Sequence, residues 1–471
     1  MIPLSLKEIA DLTGGRLHGI DDGGASALVV DGPVVTDSRE AGPGGLYVAR
    51  VGESMDGHQF LADARAAGAV AALTTLEVDE LPCVVVDDVQ EGFASLARGV
   101  IAAHGGLTVI GITGSSGKTS TKDLLASVLS SAAPTVAPVG SLNSEVGVPL
   151  TVCRVTPETR FLVVEMGARG IGHIDYLTGI AAPDIGVVLN VGTAHVGEFG
   201  SREAIGRAKS ELVAALKPEG LAVLNADDPV VAAMAEATPG RVLLVGTGPE
   251  AALRATDITL DEVGRPSFTV SGAGVEGEAR VTLPLHGEHH VGNALSVIAT
   301  ALECGLSVEA VTAALATATP ASRWRMEVTE RPDGVTVVND AYNANPDSMR
   351  AALKALVAMG RGRRTWAVLG SMLELGEEST TEHDAIGRLA VRLNISRLVV
   401  VGETARPMAT GAQHEGSWGD EATWVPDADA AYDLLSKELA PGDVVLLKSS
   451  RDAGLRWLGD RLADTREGDA T

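Results

Sequence analysis

Gly114, Gly117, Lys118 and Thr119 stand together in the run "GITGSSGKTST", between the apolar stretch Leu107 to Ile112 and a segment that places Leu124, Leu125, Val128 and Leu129 on one helical face. A strand, a glycine-containing turn and a helix in that order make a phosphate grip. The glycines let backbone N–H groups approach phosphate oxygens, and the helix start adds positive potential. Lys118 would reach the outer phosphates and Thr119 would offer a hydroxyl to Mg²⁺, so Thr113, Gly114, Ser115, Ser116, Gly117, Lys118, Thr119 and Ser120 form the expected nucleotide cradle. The strict spacing of the motif is not met, because Ile112 occupies the position of the first glycine. The strand, turn and helix context carries the reading instead.

A triphosphate brings about four negative charges, so a transfer to an anionic acceptor needs cations between the partners. Strand ends are the places to look for groups that hold them. Glu165 closes the apolar run "FLVVE", where a carboxylate at the C-terminal edge of a parallel sheet can meet the cation that Thr119 holds. His195, in "NVGTAHVGEFGS", follows another strand in a glycine-rich loop and can face the same cleft. Lys209 lies on the helical pattern "REAIGRAKSELVAALK", and from the residues alone it reads as a surface lysine.

These groups need a framework, and the chain has ample length for one. Its 471 residues exceed the usual size of one hydrophobic core, and 45% hydrophobic residues with a mean hydropathy of +0.18 indicate a folded protein. Short apolar strands alternate with amphipathic helices along most of it, the pattern of parallel sheets covered on both faces. The predicted fold class is therefore α/β with three domains: residues 1–103, residues 104–319 around the phosphate grip, and residues 320–471 as a doubly wound, Rossmann-like unit. Gly105-Gly106 and Pro320 mark the boundaries. Within the second domain, "ITLDEVGRPSFTVSGAGVEGEARVTLPL" alternates apolar and polar residues between glycine turns and predicts a small antiparallel ribbon.

Composition also narrows the partners. A net charge of −25 repels a polyanion over long range, which argues against nucleic acid. No apolar run approaches the ~20 residues that cross a bilayer, and the first residues lack the pattern of a secretion signal. Cys83, Cys153 and Cys304 are far apart, without disulfide or zinc spacing, and suit a reducing cytoplasm as small core residues. A cytoplasmic monomer acting on small molecules is the expectation.

Taken together and in order, "GITGSSGKTST", "VVEMGARGIGHI", "NVGTAHVGEFGS", "AKSEL", "LNADDP" and "VVNDAYNANPDSM" closely resemble the Mur ligases of bacterial peptidoglycan synthesis. The resemblance spans essentially the whole chain and includes the modified spacing of the phosphate loop. It implies an ATP-dependent ligase that activates a carboxylate as an acyl phosphate for attack by an amine. The form "YNANP" points within the family to D-alanyl-D-alanine as the amine donor and to UDP-N-acetylmuramoyl-tripeptide as the acceptor. Another Mur or folylpolyglutamate-type ligase with a different amine donor, or a P-loop regulatory ATPase, is the competing reading.

By the same resemblance Thr119 and Glu165 hold one Mg²⁺, while His195 and a carbamylated Lys209 serve a second, which makes Lys118, His195 and Lys209 the catalytic set. Carbamylation would turn a cation that repels a metal into an anionic oxygen ligand, and this reverses the surface reading of Lys209. Asn293 in "GEHHVGNALSV" matches an adenine-reading asparagine, and Arg325 and Asp340 match residues for the γ-phosphate and the ribose; Arg323 competes with Arg325. Tyr342 and Asn343 are expected at the peptide. Lys448 and Arg451 of "LLKSSRDAG" are expected at an anionic substrate group, Asn143 and Glu145 at the muramoyl-peptide, and Ser38 and Arg39 of "TDSRE" at the uridine diphosphate.

Overall fold

In the computed structural model, residues 1–52, 55–192, 196–319, 321–416 and 421–464 are described. His195 and the boundary residue Pro320 lie outside them. Among the described residues the strands form one small two-stranded antiparallel sheet, Leu4–Ser5 with Val29–Val30, and three larger sheets that follow one another along the chain.

The first large sheet runs in the order Arg16–His18, Cys83–Val85, Ala69–Thr74, Gly45–Val48 and Val34–Val35, parallel except at its first pair. The helix Val89–Ala103 then leads out of this region. Asp88 starts it by accepting hydrogen bonds from Gln90 N and Glu91 N, and its Phe93, Leu96, Ala97 and Val100 are buried. They belong to an apolar cluster that also takes in Val148, Val152, Ile174 and Leu177 of the following region. The sheet changes near residue 103, but the apolar packing crosses that point without a break.

The second sheet has nine strands in the order Val275–Thr282, Pro266–Gly272, Leu253–Leu260, Arg241–Gly246, Leu221–Asn225, Ile185–Val188, Thr108–Thr113, Phe161–Glu165 and Thr135–Val136. From Thr135–Val136 to Leu253–Leu260 the neighbours are parallel, and the last two strands, Pro266–Gly272 and Val275–Thr282, are each added antiparallel to the one before. The predicted ribbon is thus continuous with the main sheet rather than set apart from it. Thr108–Thr113 is the first of these strands in sequence yet lies inside the sheet, with Phe161–Glu165 on one side and Ile185–Val188 on the other. The chain therefore winds outward in both directions from this strand, which opens a crevice beyond its carboxyl end. Register decides what borders that crevice: Glu165 lies opposite Ile112, and Val188 opposite Thr113.

The third sheet runs Glu327–Glu330, Thr336–Asn339, Val444–Lys448, Thr365–Leu369, Arg397–Val401 and Ala422–Val425, parallel after its first pair. Separate apolar clusters fill its two faces. The last strand in sequence that joins it, Val444–Lys448, inserts between Thr336–Asn339 and Thr365–Leu369, so the loops after these strands meet at one edge. The second and third sheets agree with the predicted α/β class. Cys83 and Cys153 are buried, and Cys304 is partly so.

Trp366, fully buried in the central strand of this sheet, donates from Nε1 to Asp443 Oδ2 at 3.0 Å and lies between the guanidinium groups of Arg364 and Arg397. Trp366→Ala should lower the unfolding free energy by about 3–5 kcal/mol through lost burial and the cavity left behind. A urea titration that shows a loss well below that range would mean the strand is not packed as described.

Candidate active site

The phosphate loop is held from several sides before any ligand enters. Ser115 N donates to Asn190 O at 3.1 Å and Ser116 N to Asn190 Oδ1 at 2.9 Å, while Gly192 N donates to Ser115 Oγ at 2.9 Å. Asn190 follows the strand beside the loop, so the neighbouring strand end sets the loop's shape. Gly117 caps the helix Lys118–Ser130 in the left-handed region, at φ 80°. A Cβ there would also come within 2.8 Å of Asn293 Oδ1, so both conformation and space require glycine.

Lys118 Nζ donates to Gly114 O at 2.8 Å, folding the side chain back over the loop. Desolvation lowers its pKa, with Glu165 acting against that shift and Arg325 adding to it. Glu165 is fully buried and receives three neutral donors: Thr119 Oγ1 at 3.0 Å on Oε2, and Ser141 Oγ at 3.0 Å and Asn143 Nδ2 at 2.7 Å on Oε1. A buried carboxylate beside a hydroxyl is a hard oxygen donor set that fits Mg²⁺, whose remaining positions are usually filled by water and phosphate. Among the described residues, no three or more His, Cys, Asp or Glu side chains gather to hold a metal by themselves.

Lys209, on the helix Arg202–Ala214, is 4% exposed rather than on the surface as its sequence context alone suggests. Desolvation holds its pKa well below the usual lysine value, and the charge of Lys118 pushes it the same way. Both effects shift the side chain toward the neutral amine relative to a solvated lysine, and the neutral amine is the form that can act as a nucleophile.

A cleft of about 830 Å³ gathers these groups. The loop residues Ser115 to Ser120, Glu165 and Lys209 line its floor; Asn143, Glu145, Arg169, His173 and Tyr176 line one wall; Arg325, Tyr342, Asn343, Asn345 and Arg451 line the other. Gln90 Nε2 donates to Glu145 O at 2.6 Å, which ties the helix Val89–Ala103 to this wall.

The third region reaches the loop by direct contacts. Arg325 Nη2 donates to Thr119 Oγ1 at 3.4 Å, and its guanidinium lies 4.4 Å from the Tyr342 ring centre. Arg323 instead pairs with Asp460 at 2.9 Å, so of the two arginines Arg325 is the one presented to the loop. Asn345, which caps the helix Pro346–Met359, donates from Nδ2 to Ser115 O at 3.4 Å. Upstream, Asp123 on the loop helix accepts from Ser322 N at 3.0 Å and pairs with buried Lys122, which fastens the connecting segment to the nucleotide side.

Several expected residues are placed differently from their neighbours in the motif. Lys448 is buried and pairs with Asp340 Oδ2 at 2.6 Å, while Asp340 Oδ1 accepts from Met326 N at 3.1 Å. Lys448 thus braces the third region from inside, whereas Arg451 opens onto the cleft. Ser38 and Arg39 form a short turn in the first region, with Arg39 paired to Asp37 at 2.6 Å, and neither lines the cleft. Asn293 packs on Gly117 and donates to His290 Nδ1 at 3.4 Å. A second cavity of about 270 Å³, bordered by Ser120, Leu124, His286, His290, Ser322 and Arg325, adjoins the main cleft through Ser120 and Arg325.

Sequence reasoning did not single out Asn190, Ser141, Arg169, His173, Tyr176 or Asn345. Asn190 and Asn345 carry a readable signal, a polar side chain directly after a strand or before a helix. Ser141 and Arg169 sit in loops, and His173 and Tyr176 on the helix His173–Ile180, and their relation to the cleft depends on the folded chain.

A phosphate loop at the carboxyl edge of a parallel sheet, a buried carboxylate beside its threonine and a wall supplied by a further α/β unit define a P-loop nucleotide-dependent enzyme assembled from several units. The model of the Mur ligase middle domain matches residues 112–301, and that of the Mur ligase glutamate ligase domain matches residues 324–451. The chain belongs to the Mur ligase family. It is 50% identical to the UDP-N-acetylmuramoyl-tripeptide–D-alanyl-D-alanine ligase of Mycobacterium tuberculosis (strain ATCC 25618 / H37Rv), with 98% of each chain covered. Its fold is similar to a crystal structure of MurF from Acinetobacter baumannii, with a TM-score of 0.86, 32% identity and coverage of 98% and 99%. It is also similar to MurF from Thermotoga maritima in complex with ADP, with a TM-score of 0.79, 28% identity and coverage of 94% and 98%.

His290 is 3% exposed, and burial holds its pKa well below the usual histidine value, with His289 and His286 adding to the shift. The folded protein therefore keeps the ring neutral while the unfolded chain takes up a proton near the ordinary value of about 6.5. This contribution to stability is complete above about pH 6.5 and declines as the pH falls below it. His290→Gln should flatten part of that decline, read as the urea midpoint against pH; an unchanged slope would mean that His290 does not contribute to it.

Proposed function

We propose that this chain joins D-alanyl-D-alanine to a UDP-N-acetylmuramoyl-tripeptide at the expense of ATP, through an acyl phosphate. The observation that carries the reading is the single cleft in which the phosphate loop and Glu165 face Asn143 and Glu145 on one wall and Tyr342 and Arg451 on the other. Full-length similarity to ligases of that name supports the choice of donor and acceptor.

In this reading residues 1–103 take the UDP-sugar, with Ser38 and Arg39 at the uridine diphosphate. Residues 104–319 hold ATP, and residues 320–471 bring the dipeptide. Backbone N–H groups of residues 114–119 cradle the phosphates, and Lys118 leaves Gly114 O to meet the transferring group. Arg325 adds a second cation at that group from the opposite wall. Asn293 and the adjoining cavity take the adenine, with Asp340 at the ribose. Asn143, Glu145, Tyr342, Asn343 and Arg451 contact the peptide, while Lys448 acts from behind by holding Asp340.

Bound Mg²⁺ would supply charge neutralisation between the triphosphate and the acceptor carboxylate. Thr119 and Glu165 would hold one ion, and His195 with a carbamate on Lys209 would serve a second. The neutral amine, toward which burial shifts Lys209, is the form that adds to CO₂, giving an N-carboxylate and releasing one proton. The acceptor carboxylate attacks the γ-phosphorus and ADP departs; the dipeptide amine then adds to the acyl carbon, and phosphate leaves as the amide forms. The acceptor and product of this reading are nucleotide-linked peptides, in keeping with a cytoplasmic enzyme working on small molecules; among the described residues no helix is long and apolar enough to cross a membrane.

Phosphate release should require ATP, Mg²⁺, UDP-N-acetylmuramoyl-tripeptide and D-alanyl-D-alanine together. Release that persists without the acceptor would favour a regulatory ATPase, and turnover with another amine in place of the dipeptide would favour a different ligase. Lys209→Ala should lose at least about a hundredfold in kcat, the scale of a group that stabilises charge in the transition state, and recover part of it with a small added carboxylate. Wild-type turnover in the unsupplemented variant would remove Lys209 from the mechanism.

A further inference from the structure

We propose that Trp324 and Asp460 are positioning residues that aim Arg325 at the phosphate loop, an inference that rests on reading Arg325 as a phosphate-facing cation. Arg325 is flanked by two bulky residues in the left-handed region, Trp324 at φ 58° and Met326 at φ 51°. L-residues with side chains of this size stay there only when the surroundings leave no alternative. Glycine would be the residue of least strain at either position, so the side chains present must supply the restraint.

The backbone restraints come from three directions. Trp324 N donates to Glu327 Oε2 at 2.9 Å, Trp324 O accepts from Tyr342 N at 3.3 Å, and Met326 N donates to Asp340 Oδ1 at 3.1 Å. The indole adds a fourth. Its Nε1 donates to both oxygens of Asp460, at 3.0 and 3.1 Å, and its ring stacks on Tyr342 with centroids 6.4 Å apart and an interplanar angle of 19°. Asp460, on the helix Leu455–Ala463 far along the chain, also accepts from Arg323 and from Asn339 Nδ2 at 3.2 Å. Asp460 fixes the indole, the indole fixes the Tyr342 ring, and that ring carries the guanidinium that reaches Thr119.

Neither Trp324 nor Asp460 borders the main cleft, so each acts on it through its neighbours, and of these Arg325 is the one that touches the phosphate loop. The upstream end of the segment is fastened to the loop helix by Asp123 and Ser322. Arg325 therefore lies between an anchor on the nucleotide side and the Asp460 brace, and its aim reports how those two parts are aligned.

The test is a double-mutant cycle in full-length protein. Calorimetry with Mg²⁺ gives the affinity for ADP and for a non-hydrolysable ATP analogue, and their ratio reads the outermost phosphate. Arg325→Ala should lower the triphosphate preference about tenfold, the scale of one charge-assisted hydrogen bond. Asp460→Ala should lower it several-fold alone and not at all when Arg325 is already Ala, while Asp460→Asn, which keeps an acceptor oxygen, should retain most of it. If Asp460→Ala does not fold, Trp324→Phe, which keeps a ring but lacks the Nε1 donor, serves in the same cycle. An equal loss in both backgrounds, or an unchanged preference in the brace variants, overturns the positioning role alone. An unchanged preference in Arg325→Ala overturns both that role and the reading of Arg325. Because no acceptor or amine is present, the result does not depend on which bond the enzyme makes.

Discussion

A carboxylate buried without a cationic hydrogen-bond partner is costly, and the floor of the cleft is organised around one. Glu165 is kept by Thr119, Ser141 and Asn143, three neutral donors that can turn toward a cation or be replaced by one. Parallel pairing makes this possible, because it brings Glu165 level with Ile112, just before the loop that leads to Thr119. A one-residue slip in that register would point the carboxylate to the other face of the sheet. The nucleotide site and the proposed metal corner both depend on that alignment.

The second constraint is that the cleft has no complete wall within any one sheet. The helix Val89–Ala103 joins the first region to the second through a shared apolar cluster, which makes that junction resemble a core. The junction with the third region is of another kind. At the loop itself it is made by polar contacts, Arg325 to Thr119 and Asn345 to Ser115, with the Asp123 and Ser322 link behind them. Polar contacts of this sort can be exchanged for contacts to phosphate at small net cost, whereas the apolar junction cannot be opened without exposing buried surface.

The identities of the strands and helices that carry the site were legible in the residues. The apolar run into "TGSSGKTST" gave strand, loop and helix, and the alternation in the third region gave a doubly wound sheet. The antiparallel stretch is legible in the sequence, but its continuity with the main sheet is not, since the pairing of Leu253–Leu260 with Arg241–Gly246 leaves no mark in either strand alone. Lys209 shows the same limit from the side of the site. Ile205, Leu212 and Val213, one turn away on the helix, are buried with it, but a lysine reads as a surface residue by its type, and only the resemblance to the family moved it from surface to site. Asp460 left no local signal either, because its partners lie more than a hundred residues away.

What the sequence determined by itself is chemical and local: which side chains can grip phosphate, which strand ends carry carboxyl or amide groups, and which segments wind as helices, since periodicity and turn residues act over a few positions. The tertiary structure decided which of these groups meet. It turned Lys448 inward to Asp340, presented Arg325 rather than Arg323 to the loop, made Asn143 a support of Glu165, and buried Lys209. The physical reason is that desolvation and hydrogen-bond partnership are properties of a place in three dimensions, set by sheet order and register between segments far apart in the chain.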